Sequence, residues 1–523
     1  MRFDRRSGVF LHLTSLPGPH GIGDLGRGAR AFVDWLDAAE QSYWQFCPLG
    51  PTAPVHGDSP YQAYSAFAGN PLLVSLDRLV EAGYLGEGDL EPVPDFSPHE
   101  VNYDRVREYK TDRLRTAAER FRSAGDGSDA GSAGDDAAGD GDGGAVDSDR
   151  GVSDADREAF EAFRERESAW LDDYALFMAL RTRYDGAWTS WPESVRARDP
   201  ETLAAHREEL ASEVHYREFA QFVFDRQWRD LREYARDRGI DLVGDLPIYV
   251  ALDSTDVWAS PEAFDLTSDR DPAAVAGVPP NPQDDGQRWG NPVYDWETLA
   301  EDDYGWWLDR LDRLFDLVDV TRIDHFKGFD EFWAIPADSD SPADGEWRDA
   351  PGADFFETVE ARLGELPFVV EDLGFVDQSL VDLRERFGFP AMRVPHYADW
   401  CREGDMYQPM HYPENSVAYS STHDTNTLVG YYEDLPAEQR SCLEYNIGAD
   451  GSEINWSMIE AIWRSGSVLA FTTMQDVLGL DEHARFNRPG TKLGNWSWRC
   501  TTEAFSEGLA DRLARLTDEH IRN

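Results

Sequence analysis

The chain has 523 residues, with 49 lysines and arginines against 101 aspartates and glutamates, so its formal net charge is −52. This charge repels nucleic-acid backbones and anionic membrane surfaces, and we therefore expect neither as a partner. Only three of the basic residues are lysines, and such an acidic, lysine-poor composition predicts a halophilic protein in which salt screens the self-repulsion.

Eight short apolar runs are predicted to be β-strands, and amphipathic helical segments follow most of them. In chain order the runs are 8–13, 43–49, 240–248, 317–324, 367–372, 391–395, 416–421 and 468–474. Eight strands that alternate with helices predict an α/β fold of the (β/α)8 TIM-barrel type. We expect residues 1–523 to form a single catalytic domain on this barrel.

A long gap separates the second and third predicted strands. Residues 75–235 are rich in helical patterns and are predicted to form a mostly helical subdomain inserted into the barrel. Within it, residues 123–149 contain Gly, Asp, Ala and Ser with one Val and no aromatic residue. Because such a segment cannot bury enough apolar area to offset its ordering entropy, we predict a disordered acidic insertion, read as a solvated loop or as an interaction segment.

Cysteine usage and the N-terminal segment indicate the compartment. The four cysteines, Cys47, Cys401, Cys442 and Cys500, are scattered without paired spacing. This pattern predicts neither a disulfide framework nor a zinc site and favours a reducing interior. The N-terminus lacks a signal-like apolar run, and no stretch approaches 18 apolar residues, so we expect a soluble cytoplasmic protein.

Two carboxylates end predicted barrel strands, where catalytic residues of TIM barrels lie. Asp324 ends the fourth strand, and Arg322, two residues earlier, points to the same side. A guanidinium there would depress the pKa of Asp324, as a nucleophile needs. Glu371 ends the fifth strand after Phe-Val-Val, an apolar setting that would raise its pKa for general-acid work.

A third acid follows the seventh strand in the pair His423-Asp424. Any one of the three acids could simply cap the following helix. Three at the same end of the barrel favour catalysis, and two carboxylates of opposite protonation are the groups that break glycosidic bonds. Aromatic residues in the segments 59–71, 286–296 and 494–499 could supply platforms for sugar rings, although aromatic residues at this density also serve as core.

Long motifs along the chain resemble the amylomaltases, the 4-α-glucanotransferases of glycoside hydrolase family 77 and relatives of the α-amylases. The resemblance runs from about Gly8 to Arg499, apart from the acidic insertion. The motifs that carry it include GVFLHLTSLPGPHGIGDLG, GDSPYQAYSAFAGNPLL, GDLPIYVALDSTDVWA, GQRWGNPVYDW, RIDHFKGF, VVEDLG, STHDTNT and RPGTKLGNWSWR.

The resemblance implies a retaining transfer of α-1,4-glucan segments between maltooligosaccharides, with no metal or organic cofactor. It puts Asp324 at the nucleophile position, Glu371 at the general acid/base position, and Asp424 at that of a third acid, which holds sugar hydroxyls and helps to distort the ring. The residues that it implies around the reacting glucose or along the glucan groove are Arg322, His423, Asp245, Tyr61, Gln287, Trp289 and Asn291. The chain ends too soon after the eighth unit for the C-terminal β-sandwich typical of α-amylases.

One loop departs from the family pattern. After VPP the family usually continues Asp-Tyr-Phe-Ser, whereas this chain reads VPPNPQDDGQRWGNP, one residue shorter and without the aromatic pair. Since that loop normally covers the groove, we expect weaker acceptor binding, more hydrolysis relative to transfer and weaker cyclisation from the segment 279–287.

Two alternatives to glucan transfer stay open from the sequence. One is an α-1,4-glucan hydrolase that uses the same carboxylates, and the other is a glucan-binding protein without catalysis. The presence of all three acids argues against the second alternative. Products from maltotriose separate the first alternative from transfer, because only transfer yields longer oligomers.

Overall fold

In a computed structural model of the chain, the described residues are 3–126, 151–281 and 285–522. They contain twelve β-strands. In chain order these are β1 (Arg6–Phe10), β2 (Tyr43–Gln45), β3 (Asp241–Pro247), β4 (Ala274–Val278), β5 (Gln287–Pro292), β6 (Val320–Asp324), β7 (Glu331–Pro336), β8 (Glu346–Asp349), β9 (Phe368–Val370), β10 (Ala391–Arg393), β11 (Ser416–Tyr419) and β12 (Leu469–Thr473).

Eight of these strands close into a parallel barrel in the order β1-β12-β11-β10-β9-β6-β3-β2. Each lies within or next to one of the eight predicted runs, and the predicted TIM barrel is confirmed. Close packing inside the barrel explains Gly8 in β1, because a Cβ atom there would lie 2.6 Å from Cβ of Tyr43 on β2. The barrel strands are buried along nearly their whole length.

Helices surround the barrel. The α-helices of the described part of the chain are α1 (Arg27–Ala38), α2 (Leu76–Glu81), α3 (Tyr103–Asp126), α4 (Asp154–Arg166), α5 (Ser168–Tyr184), α6 (Glu193–Arg196), α7 (Pro200–Glu209), α8 (Ala211–Arg236), α9 (Thr255–Ala259), α10 (Trp296–Glu301), α11 (Gly305–Leu317), α12 (Gly352–Leu363), α13 (Gln378–Phe387), α14 (Leu428–Asp434), α15 (Ala437–Ile447), α16 (Ile454–Arg464), α17 (Met474–Leu478) and α18 (Glu507–Glu519). None of them combines the length and apolar character needed to cross a membrane.

The predicted helical insertion corresponds to α2 through α8, which lie between β2 and β3. The described residues of this stretch contribute no strand to the barrel or to any other sheet. Helix α3 reaches Asp126, so the first residues of the predicted acidic insertion are helical. Residues 127–149 of that insertion lie outside the described residues, and the bounds of the subdomain, 75–235, stay a prediction.

A second, antiparallel sheet of order β5-β4-β7-β8 stands beside the barrel. Strands β4 and β5 follow β3, and strands β7 and β8 follow β6, so both pairs leave the barrel at the carboxyl ends of its strands. This is the end at which the active sites of TIM barrels lie. The sheet therefore forms one wall next to the expected catalytic residues.

The two ends of the described chain meet where the barrel closes. Strand β1 pairs with β12, with Arg6 opposite Leu469. Arg5 donates to the carbonyl oxygens of Ser467 and Trp463, and Arg522 donates to the same two carbonyls, at distances of 2.7–3.0 Å. The two guanidinium groups thus hold both ends of the chain to the turn before β12.

The expectation that the chain lacks a disulfide is wrong. Cys401, in the loop after β10, is bonded to Cys442 on α15, and their Cα atoms are 5.3 Å apart. The side chain of Asn446 on the same helix also donates to the Trp400 carbonyl at 2.7 Å. Spacing in the sequence gives no sign of this pairing, because packing of α15 against the loop brings the two cysteines together. Cys47 and Cys500 are buried free thiols.

Candidate active site

The predicted acids converge at the carboxyl end of the barrel. Asp245 lies on β3, Asp324 ends β6, Glu371 directly follows β9, and Asp424 lies in the loop after β11. Strands β3, β6 and β9 are neighbours in the barrel, which brings the first three acids side by side. The arrangement follows from the fold, since the ends of adjacent parallel strands meet at one edge.

Arg322 on β6 connects three of these acids. Its Nη1 donates to Asp245 Oδ2 at 2.6 Å and to Asp324 Oδ1 at 3.0 Å. Its Nη2 donates to Glu371 Oε2 at 2.6 Å, and the backbone N–H of His325 donates to the same oxygen at 3.1 Å. One buried guanidinium therefore fixes the relative positions of all three carboxylates.

The acids differ in their access to the groove. The side chains of Asp324 and Glu371 are each 24% exposed and that of Asp424 is 39% exposed. The side chain of Asp245 is 0% exposed. Asp245 therefore acts through its neighbours, whereas the other three acids can contact a substrate directly.

Tyr61 and His423 form an aromatic layer over this cluster. The Tyr61 hydroxyl donates to Asp245 Oδ2 at 2.9 Å. The Tyr61 and His423 rings stack with centroids 5.0 Å apart, and His423 Nε2 lies 3.2 Å from Asp424 Oδ2. The stacked rings of His423 and Tyr61 thus connect Asp424 to the acids around Arg322.

Two residues that sequence reasoning missed hold Asp424 in place. Asn487 Nδ2 donates to Asp424 Oδ1 at 2.6 Å, and Arg485 Nη2 donates to the Asp424 carbonyl oxygen at 2.6 Å. Both lie in the loop between α17 and the segment 494–499. The only signal was their place just before the quoted motif RPGTKLGNWSWR, whose aromatic residues were the part considered in the sequence.

The protonation preferences of the central pair are the reverse of those predicted. Burial raises the pKa of Asp324 well above its ordinary value, because Arg322 does not fully offset burial and the neighbouring carboxylates. Burial also disfavours the charge of Glu371, but Arg322, a hydrogen bond with Asp324 and the His325 N–H together lower its pKa. The predicted lowering for Asp324 and raising for Glu371 are both wrong. The physical reason is that Nη1 of Arg322 divides its hydrogen bonds between Asp245 and Asp324, whereas Nη2 donates to Glu371 alone.

The pKa of Asp424 is also lowered. Burial opposes its charge, but the adjacent His423 and the hydrogen bond from Asn487 lower its pKa to about 2. Asp424 is therefore a carboxylate at any pH near neutrality. A permanent negative charge suits a group that accepts hydrogen bonds from sugar hydroxyls.

The predicted groove residues on β5 have different surroundings. The Trp289 ring meets the His325 ring edge to face at 4.9 Å, and its Nε1 donates to Gln287 Oε1 at 3.0 Å. Asn291 is buried, donates to the Val250 carbonyl at 2.8 Å and accepts from Gln62 Nε2 at 2.7 Å. Trp289 and Gln287 thus lie beside the carboxylate cluster, while Asn291 supports the wall behind them. In the shortened loop 279–287, residues 282–284 lie outside the described residues.

An acidic trio near the site has the spacing of a cation site. It consists of Asp330, Glu331 and Asp377, the only such group in the described parts of the chain. Its centre is taken by the Lys327 ammonium, whose Nζ lies 2.8–2.9 Å from an oxygen of each acid. Because that ammonium already occupies the position between the three carboxylates, these residues do not suit a metal.

Comparisons with known proteins agree with this geometry. The chain matches the sequence profile of glycoside hydrolase family 77, 4-alpha-glucanotransferase, over residues 11–504. It is 41% identical over 524 residues to the 4-alpha-glucanotransferase of Synechocystis, with 99% of this chain and 98% of the relative covered. The 4-alpha-glucanotransferase of Streptococcus pneumoniae is also 41% identical, over 97% of this chain and 96% of its own.

A solved structure supports the same relationship. The amylomaltase from Streptococcus agalactiae in complex with acarbose superposes with a TM-score of 0.91 at 35% identity. The superposition covers 99% of this chain and 100% of that one. The likeness therefore extends over the barrel, helices α2 to α8 and the second sheet.

Proposed function

Because the chain belongs to glycoside hydrolase family 77 and is a 4-alpha-glucanotransferase, we propose that its carboxylate cluster performs a retaining double displacement on α-1,4-glucans. In this proposal Asp324 is the nucleophile and Glu371 is the general acid and base. The observation that carries the proposal is the contact of Arg322 with Asp324 through one nitrogen and with Glu371 through the other.

The first half of the reaction transfers the glucan to the enzyme. A carboxylate oxygen of Asp324 bonds to the anomeric carbon as the bond from that carbon to the glycosidic oxygen breaks. Glu371 donates its proton to the departing oxygen, so the leaving chain departs with a free 4-hydroxyl. Asp424 accepts hydrogen bonds from hydroxyls of the same sugar and helps to distort its ring.

Substrate binding has to redistribute one proton. The pKa directions favour a proton on Asp324 over one on Glu371, whereas the reaction needs the proton on Glu371. A glycosidic oxygen that enters beside Glu371 can only accept a hydrogen bond, so it favours the protonated form of Glu371, which can donate one. Arg322 then serves Asp324 and Asp245, which favours the ionised nucleophile.

The second half regenerates the enzyme. Glu371, now a carboxylate, removes the proton from the 4-hydroxyl of an acceptor glucan, whose oxygen attacks the anomeric carbon and releases Asp324. Transfer exceeds hydrolysis when the acceptor sugar occupies the site and excludes water. The alternatives of a plain hydrolase and of a non-catalytic binding protein are not favoured, since the full-length relatives are glucanotransferases.

We also propose that the enzyme works in the cytoplasm of a cell with a salt-rich interior. The net charge of −52 supports this, and so does the placement of its lysines. Lys110 and Lys327 are buried among carboxylates, which leaves Lys492 as the exposed lysine of the chain. The Cys401–Cys442 disulfide is the feature that a reducing cytoplasm does not favour, so cell fractionation with thiol trapping tests this location.

The catalytic assignment is tested by Asp324→Asn and Glu371→Gln. Each variant should lose at least about 10²-fold in transfer from maltotriose, because an amide neither attacks the anomeric carbon nor exchanges the proton. Glu365→Gln is the matched control, an exposed glutamate before the amino end of β9, and should keep the wild-type rate. More than a tenth of the wild-type rate in either active-site variant, with an unchanged melting curve, would refute the assignment.

A further inference from the structure

A row of aromatic side chains beside the catalytic cluster takes no part in the mechanism above. Trp333 on β7 is paired with Trp347 on β8, and their ring centroids are 5.3 Å apart. Phe375, in the loop after β9, extends the row with its ring centroid 5.9 Å from that of Trp347. We call Trp333, Trp347 and Phe375 the aromatic row.

The buried Lys327 packs against Trp347 of the row, whereas Phe375 at the other end is exposed. The buried Lys327 ammonium lies 5.7 Å from the centre of the Trp347 ring, and its carboxylate partners hold it there. Phe375 and its neighbour Val376 are each 39% exposed, although large apolar side chains are usually buried. The row therefore offers rigid aromatic surface to the solvent at the catalytic end of the barrel.

The row is connected to the catalytic residues through the chain. Strands β7 and β8 follow Asp324 along the chain, and Phe375 follows Glu371 by four residues. The two segments leave barrel strands β6 and β9, which are paired neighbours. Because Glu371 protonates the leaving oxygen and later activates the acceptor in the proposed mechanism, we infer that the segment after Glu371 lies on the side of the leaving and acceptor chains.

We propose that the aromatic row binds the part of the acceptor α-glucan that extends beyond the glucose with the reacting 4-hydroxyl. The inference rests on the transferase mechanism proposed above. Flat aromatic rings pack against the apolar faces of sugar rings, and the exposed carboxylates of Glu346 and Asp377 beside the row accept hydrogen bonds from sugar hydroxyls. In this proposal a glucose acceptor contacts only the catalytic cluster, whereas a maltotetraose acceptor also contacts the row.

The test compares two acceptors in Phe375→Ala and Trp347→Ala. Maltoheptaose serves as the donor, and radiolabelled glucose or radiolabelled maltotetraose serves as the acceptor. We expect each variant to raise the KM for maltotetraose by about three- to twelve-fold, which lies within the range for one lost aromatic contact. The KM for glucose and the kcat should stay within twofold of wild type. Tyr445→Ala removes an aromatic ring that is 87% exposed on α15 and is the matched control, with no change for either acceptor.

The outcomes are decisive in both directions. An equal KM change for glucose and maltotetraose, or no change for either, overturns the aromatic row as an acceptor site. A change of molecular mass in solution in the Phe375→Ala variant also overturns it, since the row would then be a contact between copies. If Trp347→Ala does not fold, Phe375→Ala decides alone. Loss of transfer to glucose in the wild type would contradict the proposed function instead, so the two failures are distinguishable.

Discussion

At the scale of single residues, a substitution of Asn487 tests the role of Asp424 without altering Asp424 itself. Asn487 contacts Asp424 through one side-chain hydrogen bond of 2.6 Å. In Asn487→Ala the carboxylate is free to rotate away from the sugar, and we expect kcat for transfer to fall by about 10- to 100-fold. The matched control is Asn415→Ala, which removes side-chain hydrogen bonds to Gly388 and Phe389 and should leave kcat unchanged.

The same substitution should also change how the stability of the fold depends on pH. Asp424 acts as a carboxylate, and its pKa of about 2 lies below the ordinary value of 3.8. The stability that its interactions contribute is therefore present above about pH 4 and is lost as the pH falls through 2. Without the Asn487 bond the pKa of Asp424 rises, so the onset of acid unfolding should move to higher pH. A circular-dichroism titration measures the shift, and coincident wild-type and variant curves would contradict the role of Asn487.

The sequence identified the acids of the site but not their electrostatics. Asp324, Glu371 and Asp424 could be predicted because they stand at strand ends, a position that periodicity reveals. Their pKa order depends on which nitrogen of Arg322 each acid contacts, and that requires coordinates. Asn487 was missed because it lies in a loop whose contact with Asp424 joins residues 63 positions apart.

At the scale of elements, the barrel strands were predictable and the second sheet was not. The eight barrel runs are continuous and apolar because both faces of each strand are buried. Strand β5, in contrast, contains Gly290 and Pro292 and is only partly buried, so it lacks strand periodicity. Its partner β4 pairs antiparallel with both β5 and β7. Local patterns thus specify the barrel, whereas the wall that carries Trp289 and Trp333 depends on tertiary contacts.

The disulfide between α15 and the loop after β10 has a measurable contribution. Cys401 and Cys442 are 41 residues apart, and closing a loop of that length stabilises a fold by about 4 kcal/mol. We expect the Cys401→Ser/Cys442→Ser double variant to have a lower melting midpoint and an unchanged kcat, because Asn446 still tethers the loop. Wild type treated with a reducing agent is the matched control and should melt with the double variant. Equal midpoints for oxidised and reduced wild type would show that the bond contributes nothing.

At the scale of the whole molecule, we expect charge repulsion to lower the stability in dilute salt. Fifty-two uncompensated negative charges repel one another, and the Debye length falls from about 10 Å at 0.1 M salt to about 3 Å at 1 M. We expect the melting midpoint to rise steeply with KCl up to about 1 M and then to flatten, as screening saturates. A midpoint that rises linearly to 2 M would indicate general salting-out, and coincident curves at 0.1 M and 2 M would refute salt adaptation.

The closure of the barrel between β1 and β12 has a consequence for synthesis on the ribosome. Strand β1 leaves the exit tunnel early, yet its partner β12 and the residue Arg522, which helps Arg5 to hold the seam, are made more than 450 residues later. At roughly 5–20 residues per second, the nascent chain spends tens of seconds with one side of β1 unpaired. During that interval the unpaired edge of β1 is open to wrong partners. The ring therefore cannot close until β12, the last of its strands, has been synthesised.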